Sequence, residues 1–309
     1  MPFAKEVSGS AERRVPDGVR VFAPAEIVSN YADIGAKKAA APAWKLFSLG
    51  ILAGFLIGMG AAVTNTAVHS IENVSVARVV SGLLFPLGLG VVMLMGAELF
   101  TGNCMIPVSV LERRAGLGGM LKNWLIVYLG NLAGGLLLAL ACVYSGQLNY
   151  SAGGLALYSV RVAAGKCSLA FGPAVVLGTL CNILVCLGVL CSLSAQDTAG
   201  RILGAYIPVT FFVICGFEHS VANMYYIPAG RFAAARPAYA AQIAEAGIDT
   251  AALTWRNFFV GNLLPVTLGN ILGGAGIGIL LWKCHTRGIA PGPVAGGPPP
   301  DPRGQRPAG

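Results

Sequence analysis

His219 stands beside Glu218 at a break in the fifth strongly apolar run of the chain, within Gly216-Phe217-Glu218-His219-Ser220-Val221-Ala222-Asn223-Met224. An imidazole, with an unperturbed pKa of about 6.5, exchanges protons near neutrality or donates a hydrogen bond while neutral. Enclosed by apolar sequence, such a group marks a pathway or relay; the plainer reading is a hydrogen-bonded histidine that ties the break together. Glu98 occupies the matching place after the second apolar run, in Gly96-Ala97-Glu98-Leu99-Phe100-Thr101-Gly102-Asn103-Cys104-Met105-Ile106-Pro107. A broken helix frees backbone N–H groups, and both carboxylates read as acceptors for them. Thr101 offers a hydroxyl that can hold a substrate or cap the next segment. Asn131, Asn182 and Asn270 read as partners for exposed backbone. His69 and His285 fall at the ends of apolar runs. The eight cysteines form no Cys-x-x-Cys pair and have no histidine at ligand spacing, so they read as small buried thiols and no cofactor or metal is expected.

The elements that must position these groups follow from composition. Hydrophobic residues are 55% of the 309 and charged residues 11%, which suits a bilayer and not water. Six apolar segments, about 46–68, 79–101, 121–145, 171–194, 202–217 and 257–283, each approach the ~20 residues a helix needs to cross hydrocarbon. Weaker apolar stretches at 104–111 and 220–229 follow the second and fifth, which read as broken helices. With both termini inside, fifteen Lys and Arg lie on the inner side and six on the outer, the bias expected of cytoplasmic termini. The net charge of +8 is spread over loops and tails and forms no basic stripe with interleaved aromatics, so no nucleic-acid partner is expected. No signal peptide is read at the start. Between Pro24 and Trp44, Ile27, Tyr31 and Ile34 recur opposite Glu26, Asn30, Asp33, Lys37 and Lys38, the pattern of a helix lying at the cytoplasmic interface. The expected organisation is a cytoplasmic N-terminal segment at 1–45, a channel domain at 46–286 and a disordered Pro/Gly-rich tail at 287–309.

The two break motifs are a repeat: Gly, Glu and Asn match at one constant offset, 98 to 218 and 103 to 223. The last helix of each half repeats too. Lys122-Asn123-Trp124 with Gly130-Asn131-Leu132-Ala133-Gly134-Gly135 is echoed by Arg256-Asn257-Phe258 with Gly269-Asn270-Ile271-Leu272-Gly273-Gly274. Three spans per half is an odd number, so the second half must cross in the opposite sense, giving inverted repeats. Irregular backbone at membrane depth is tolerated where it lines a cavity or is buried in protein, which puts the functional site at the breaks. The glycines at 130, 134, 269 and 273 read as faces for close helix approach.

At these residues the sequence resembles the formate/nitrite transporter family, over about residues 24–286. The carriers are the strings from Gly216 to Met224 and Glu98-Leu99-Phe100-Thr101-Gly102-Asn103. The resemblance implies an all-α, aquaporin-like membrane protein, six helices in two inverted three-helix repeats with broken second and fifth helices, assembled as a homopentamer with one pore per protomer. It also implies His219 as the pore histidine with Glu218 bracing the break, Thr101 facing it from a mobile loop, Lys166 in the outer vestibule, and Asn182 and Asn270 as the polar helix asparagines. Phe85, Leu89, Leu99, Phe100 and Phe212 correspond to the apolar constrictions. Phe217 and Tyr225-Tyr226-Ile227-Pro228 resemble the formate branch; nitrite, hydrosulfide, and lactate or acetate conductors share much of the pattern.

Elementary physics leads to a similar expectation. A bare anion in a dewetted ring of Phe and Leu is costly, whereas the neutral acid is not. Lys166 is expected to draw the anion in and favour its protonation, so the partners are a small anion, protons and membrane lipids. Whether His219 lends a proton or acts as a neutral donor stays open here. A neutral-solute channel of the aquaglyceroporin kind calls for paired Asn-Pro-Ala turns, where this chain has Asn103-Cys104-Met105 and Ala222-Asn223-Met224. A membrane redox enzyme calls for paired histidines on facing helices. The expectation is therefore a multi-pass conductor in the cell membrane and no enzyme.

Overall fold

The structure, a computed structural model, describes residues 21–286. The first part of the expected N-terminal segment and the expected disordered tail at 287–309 lie outside the described residues. The described residues are helical throughout, without strands, in the order α1 (Pro24–Ala40), α2 (Ala43–Val68), α3 (Val74–Leu84), α4 (Pro86–Met95), α5 (Phe100–Asn103), α6 (Pro107–Leu111), α7 (Leu117–Tyr144), α8 (Gly154–Cys167), α9 (Phe171–Ser194), α10 (Thr198–Cys215), α11 (Ser220–Ala234), α12 (Pro237–Glu245) and α13 (Leu264–Thr286), with a π-helical turn (Asn257–Leu263) leading into α13. Six helices are long and apolar enough to cross a membrane: Ala43–Val68, Val74–Met95, Leu117–Tyr144, Phe171–Ser194, Thr198–Cys215 and Asn257–His285.

Their packing is that of helices in lipid. The inward face of α2 is small, with Gly50, Ala53, Gly54, Gly58 and Ala61 buried, while large side chains such as Leu125 at 62%, Leu272 at 59% and Phe211 at 54% exposure point outward. Apolar area gains nothing by leaving lipid, so association relies on close backbone approach. Helix α2 packs along α7, and α9 along α13. A Cβ on Gly130 would stand 2.7 Å from Phe47 O, and one on Gly178 2.7 Å from Val266 O. Gly134, Gly269 and Gly273 likewise face the backbone oxygens of Ile51, Val175 and Thr179, the close approach their spacing predicts.

Helix α1 runs over α6, α7, α9 and the end of α13, so it and the C-terminal end of α13 share one face of the bundle, termed the terminal face below. Its buried side is Val28, Tyr31, Ala32, Gly35 and Ala39. Small residues set the contact, and the face is rotated from the Ile27, Tyr31, Ile34 stripe that periodicity picks out. Two helices have no counterpart among the apolar runs: α12, and α8, whose Leu155, Ala156, Ser159, Val160 and Ala163 bury against α11.

Both broken helices end alike. α4 stops at Gly96 (φ 63°) and α10 at Gly216 (φ 72°), a left-handed conformation in which a Cβ is strained. The following N–H turns back five residues, Ala97 to Val92 O at 3.1 Å and Phe217 to Phe212 O at 3.0 Å, closing each helix in a Schellman-type turn. The chain then runs extended to Leu99 and His219 before α5 and α11 begin.

Candidate functional site

The backbone freed at each break is satisfied by the same bonds made twice. The Glu98 N–H donates to Leu49 O at 3.1 Å and the Glu218 N–H to Leu177 O at 3.3 Å. Asn131 on α7 accepts from the Phe100 N–H at 2.9 Å and donates to Glu98 O at 2.9 Å and Gly50 O at 2.8 Å. Asn270 on α13 accepts from the Ser220 N–H at 3.0 Å and donates to Glu218 O at 3.1 Å and Gly178 O at 2.8 Å. Both asparagines are fully buried, so irregular backbone inside the bundle is left with partners.

A second matching set anchors the carboxylates. Lys166 Nζ lies 2.8 Å from Glu218 Oε1, Asn223 donates to Glu218 Oε2 at 2.6 Å and to Asn262 Oδ1 at 2.7 Å, and Asn262 donates to Lys166 O at 2.9 Å. Lys38 Nζ lies 3.0 Å from Glu98 Oε2, Asn103 donates to that oxygen at 2.7 Å and to Asn123 Oδ1 at 2.9 Å, and Asn123 donates to Lys38 O at 3.1 Å. The counterpart of Asn123 is thus Asn262, and the pairing of Asn123 with Asn257 from the Lys-Asn-Trp and Arg-Asn-Phe strings is corrected. Asn257 instead starts the π-helical turn, donating from its side chain to Ala252 O at 2.9 Å. The offset from Asn131 to Asn270 also carries 123 to 262; the extra residues of the π turn displace the more conspicuous string. Lys38 escapes the sequence for another reason, since periodicity puts it on the polar side of α1.

Two cavities flank the breaks. One, of about 490 Å³, opens away from the terminal face and includes Phe85, Lys166, Phe212, Glu218 and His219 in its lining. The other, of about 320 Å³, opens at the terminal face beside Lys37, Lys38 and Lys45 and reaches Leu89, Glu98 and Leu99. They share no lining residue. Between them Thr101 Oγ1 meets His219 Nε2 at 3.1 Å. The Phe212 ring stacks on the imidazole, centroids 5.9 Å apart, and packs edge-on to Phe85 at 5.8 Å.

The histidine's partners set its tautomer. His219 is the N-cap of α11, and its Nδ1 accepts the Ala222 N–H at 3.0 Å. An accepting Nδ1 carries no hydrogen, so the proton of the neutral ring is on Nε2 and faces Thr101. Thr101 is held just as firmly. Its carbonyl accepts from Asn182 at 3.1 Å, the neighbouring Gly102 O from the Tyr31 hydroxyl at 2.8 Å, and Asn103 O from Trp124 at 2.8 Å.

Not every expected residue lines these cavities. Asn182 and Asn270 bond to backbone, and Asn182 also donates to Asn270 O at 2.6 Å. Phe100 packs its ring against Tyr128 at 4.9 Å and Trp124 at 6.3 Å, on the α7 side of the break.

Comparison with known proteins agrees with this architecture. The formate/nitrite transporter family model matches residues 25–283. The chain is 35% identical over 283 residues to a probable formate transporter of Methanothermobacter thermautotrophicus, covering 85% of this chain and 97% of that one. It is 36% identical over 269 residues to the formate channel FocA of Escherichia coli (strain K12), covering 85% and 94%. Among solved structures, a pentameric formate channel with formate bound superposes with a TM-score of 0.70 at 36% identity, over 81% of this chain and 99% of that one. The chain belongs to the formate/nitrite transporter family.

Proposed function

We propose that the chain conducts formate, as a representative small monovalent weak-acid anion, across the cell membrane together with a proton. The observation that carries this reading is the Thr101 to His219 contact, a polar pair at 3.1 Å between two cation-lined cavities with apolar side chains on either side. A carboxylate drawn into a vestibule cannot pass Phe85 and Phe212, or Leu89 and Leu99, as a bare charge without a cost of several kcal/mol or more. By taking a proton from vestibule water it becomes a neutral acid, and it returns that proton to water on the far side. In passing, its carbonyl oxygen accepts from His219 Nε2–H and its hydroxyl meets Thr101. The ring keeps its own proton count, because Nδ1 stays in the cap of α11. Nitrite and hydrosulfide fit the same scheme and are controls for substrate choice.

The doubled bond sets support an inverted relation of the halves, and the excess of Lys and Arg on the terminal face supports cytoplasmic termini. The broad apolar exterior, together with the pentameric relative, supports a homopentamer in lipid.

The test is uptake by proteoliposomes of formate, nitrite, hydrosulfide and glycerol over a range of pH. Electroneutral formate flux that climbs with acidity supports the reading, since each unit multiplies the neutral fraction about tenfold. Glycerol flux without anion flux sinks it. His219→Asn preserves a capping side chain for α11 while removing the imidazole donor, and unchanged formate flux in that variant refutes the part given to His219.

A further inference from the structure

The sequence singles out Lys166 as the anion attractor of the vestibule away from the terminal face, but its ammonium is committed. Lys166 Nζ is 2.8 Å from Glu218 Oε1, so the two charges largely cancel at the distance of an approaching anion. The charged residues lining this cavity are Arg78, Arg161, Lys166 and Glu218. Once the lysine and glutamate are paired, two guanidinium groups remain. Neither arginine has an ion pair or side-chain hydrogen bond with another described residue.

Their placement is specific. Arg78 and Phe85 lie seven residues apart on one face of the α3 helix and its end, about 10 Å along the axis, so Arg78 stands toward the mouth above the Phe85 ring. Its guanidinium lies on the bare Cα of Gly216, where a Cβ would sit 2.7 Å from Nη1. It therefore covers the break that leads to His219. Arg161 shares one face of α8 with Tyr158, Val162, Gly165 and Lys166, which all line the cavity. Burial pushes the Tyr158 phenol up, and the Arg78 charge opposes that rise.

We propose that Arg78, with Arg161 beside it, is the subsite that captures the anion in this vestibule, that it selects anions presenting two coplanar oxygens, and that Lys166 serves to hold Glu218. A guanidinium offers parallel N–H donors that match a carboxylate or nitrite as a fork, which an anion with a single acceptor atom, such as hydrosulfide, does not use. The proposal rests on the anion-conducting reading above and assigns one of its steps.

The experiment measures initial flux against formate and hydrosulfide concentration, at several ionic strengths, in sealed vesicles that present this vestibule to the medium. Arg78→Gln is expected to raise the half-saturating formate concentration about fivefold, leave the hydrosulfide value nearly unmoved, and flatten the salt dependence of flux, as follows when a focusing charge is lost. Arg78→Lys is expected to restore the salt dependence but not the formate half-saturation. Arg161→Gln, at an exposed site on α8, is expected to give the same pattern at about twofold, and it serves as the readout if Arg78→Gln does not assemble. Unchanged formate half-saturation in both arginine variants overturns the proposal, and a rise in Lys166→Gln returns the capture role to that lysine. A drop in maximal flux alone also overturns it, by making Arg78 a prop for the end of α10. If the native chain carries nitrite and no formate, the substrate reading fails while the half-saturating nitrite concentration in the arginine variants still decides this one; if it carries hydrosulfide alone, both fail. If it carries no anion, both fail.

Discussion

Thr101 and His219 come from opposite halves of the chain and meet through a 3.1 Å contact, with the histidine side chain fixed from behind by the Ala222 N–H. That contact follows from the two breaks: Gly96 and Gly216 end their helices in left-handed turns, and α5 and α11 restart with Thr101 one residue into its turn and His219 at its cap. Thr101→Val keeps shape and removes the hydroxyl. It leaves the buried His219 Nε2–H without its partner, a cost of about 1–3 kcal/mol. Formate flux is expected to fall while the oligomer stays intact, as measured by uptake alongside size-exclusion chromatography in detergent.

Asn270 satisfies three backbone groups at the fifth-helix break, and Asn131 does the same at the second. Asn270→Leu fills similar space but removes the partners of the Ser220 N–H and Glu218 O at the break. The expected destabilisation is about 2–4 kcal/mol, at the lower end if water reaches the break. Thermal unfolding in detergent should show Asn131→Leu lowering the midpoint by a similar amount. A much smaller effect for one of the pair would mean that its break finds other partners.

The glutamates predict a charge-balance effect. Lys166→Met strips the cation from Glu218, whose side chain is 7% exposed and also accepts from Asn223. An unpaired buried carboxylate costs up to about 3–5 kcal/mol, less here because Lys166 is partly exposed. Adding Glu218→Gln to Lys166→Met should recover much of the loss. A double-mutant cycle on thermal stability reads the coupling, and additive losses would show that the ion pair does not stabilise the break.

How far the sequence reveals these arrangements depends on whether the signal is local. The six crossings are visible as apolar runs because lipid imposes a length and a composition. The breaks are visible because Gly, Glu and Asn recur at a fixed offset, and Thr101 and His219 are legible from the same strings. Lys38 is not, since amphipathic periodicity places it on a polar face while tertiary packing turns it toward Glu98. Asn262 hides behind the π-helical turn, which breaks the register of the repeat at that point. Helix α8 is too short for a span, and its polar residues, Arg161 and Lys166 among them, line a cavity. Each of these depends on long-range contacts that no window of sequence contains.

Some glycines of α13 pack against α9 and others face open space. Gly273 and Gly276 are less than one turn apart on α13. A Cβ on Gly273 would strike the Thr179 backbone oxygen on α9, whereas one on Gly276 meets nothing within 4 Å. Gly273→Ala must push α9 and α13 apart or bend them, a cost of about 1–3 kcal/mol. Because Asn270 and Asn182 bridge this same helix pair to the Glu218 and Thr101 backbone, the displacement should lower flux as well as stability. Gly276→Ala removes helix-interior glycine freedom and should stabilise by about 0.5–1 kcal/mol with flux unchanged. Thermal midpoints and uptake measured on both variants check the contrast, and equal behaviour would show that the α9 and α13 contact is looser than its geometry implies.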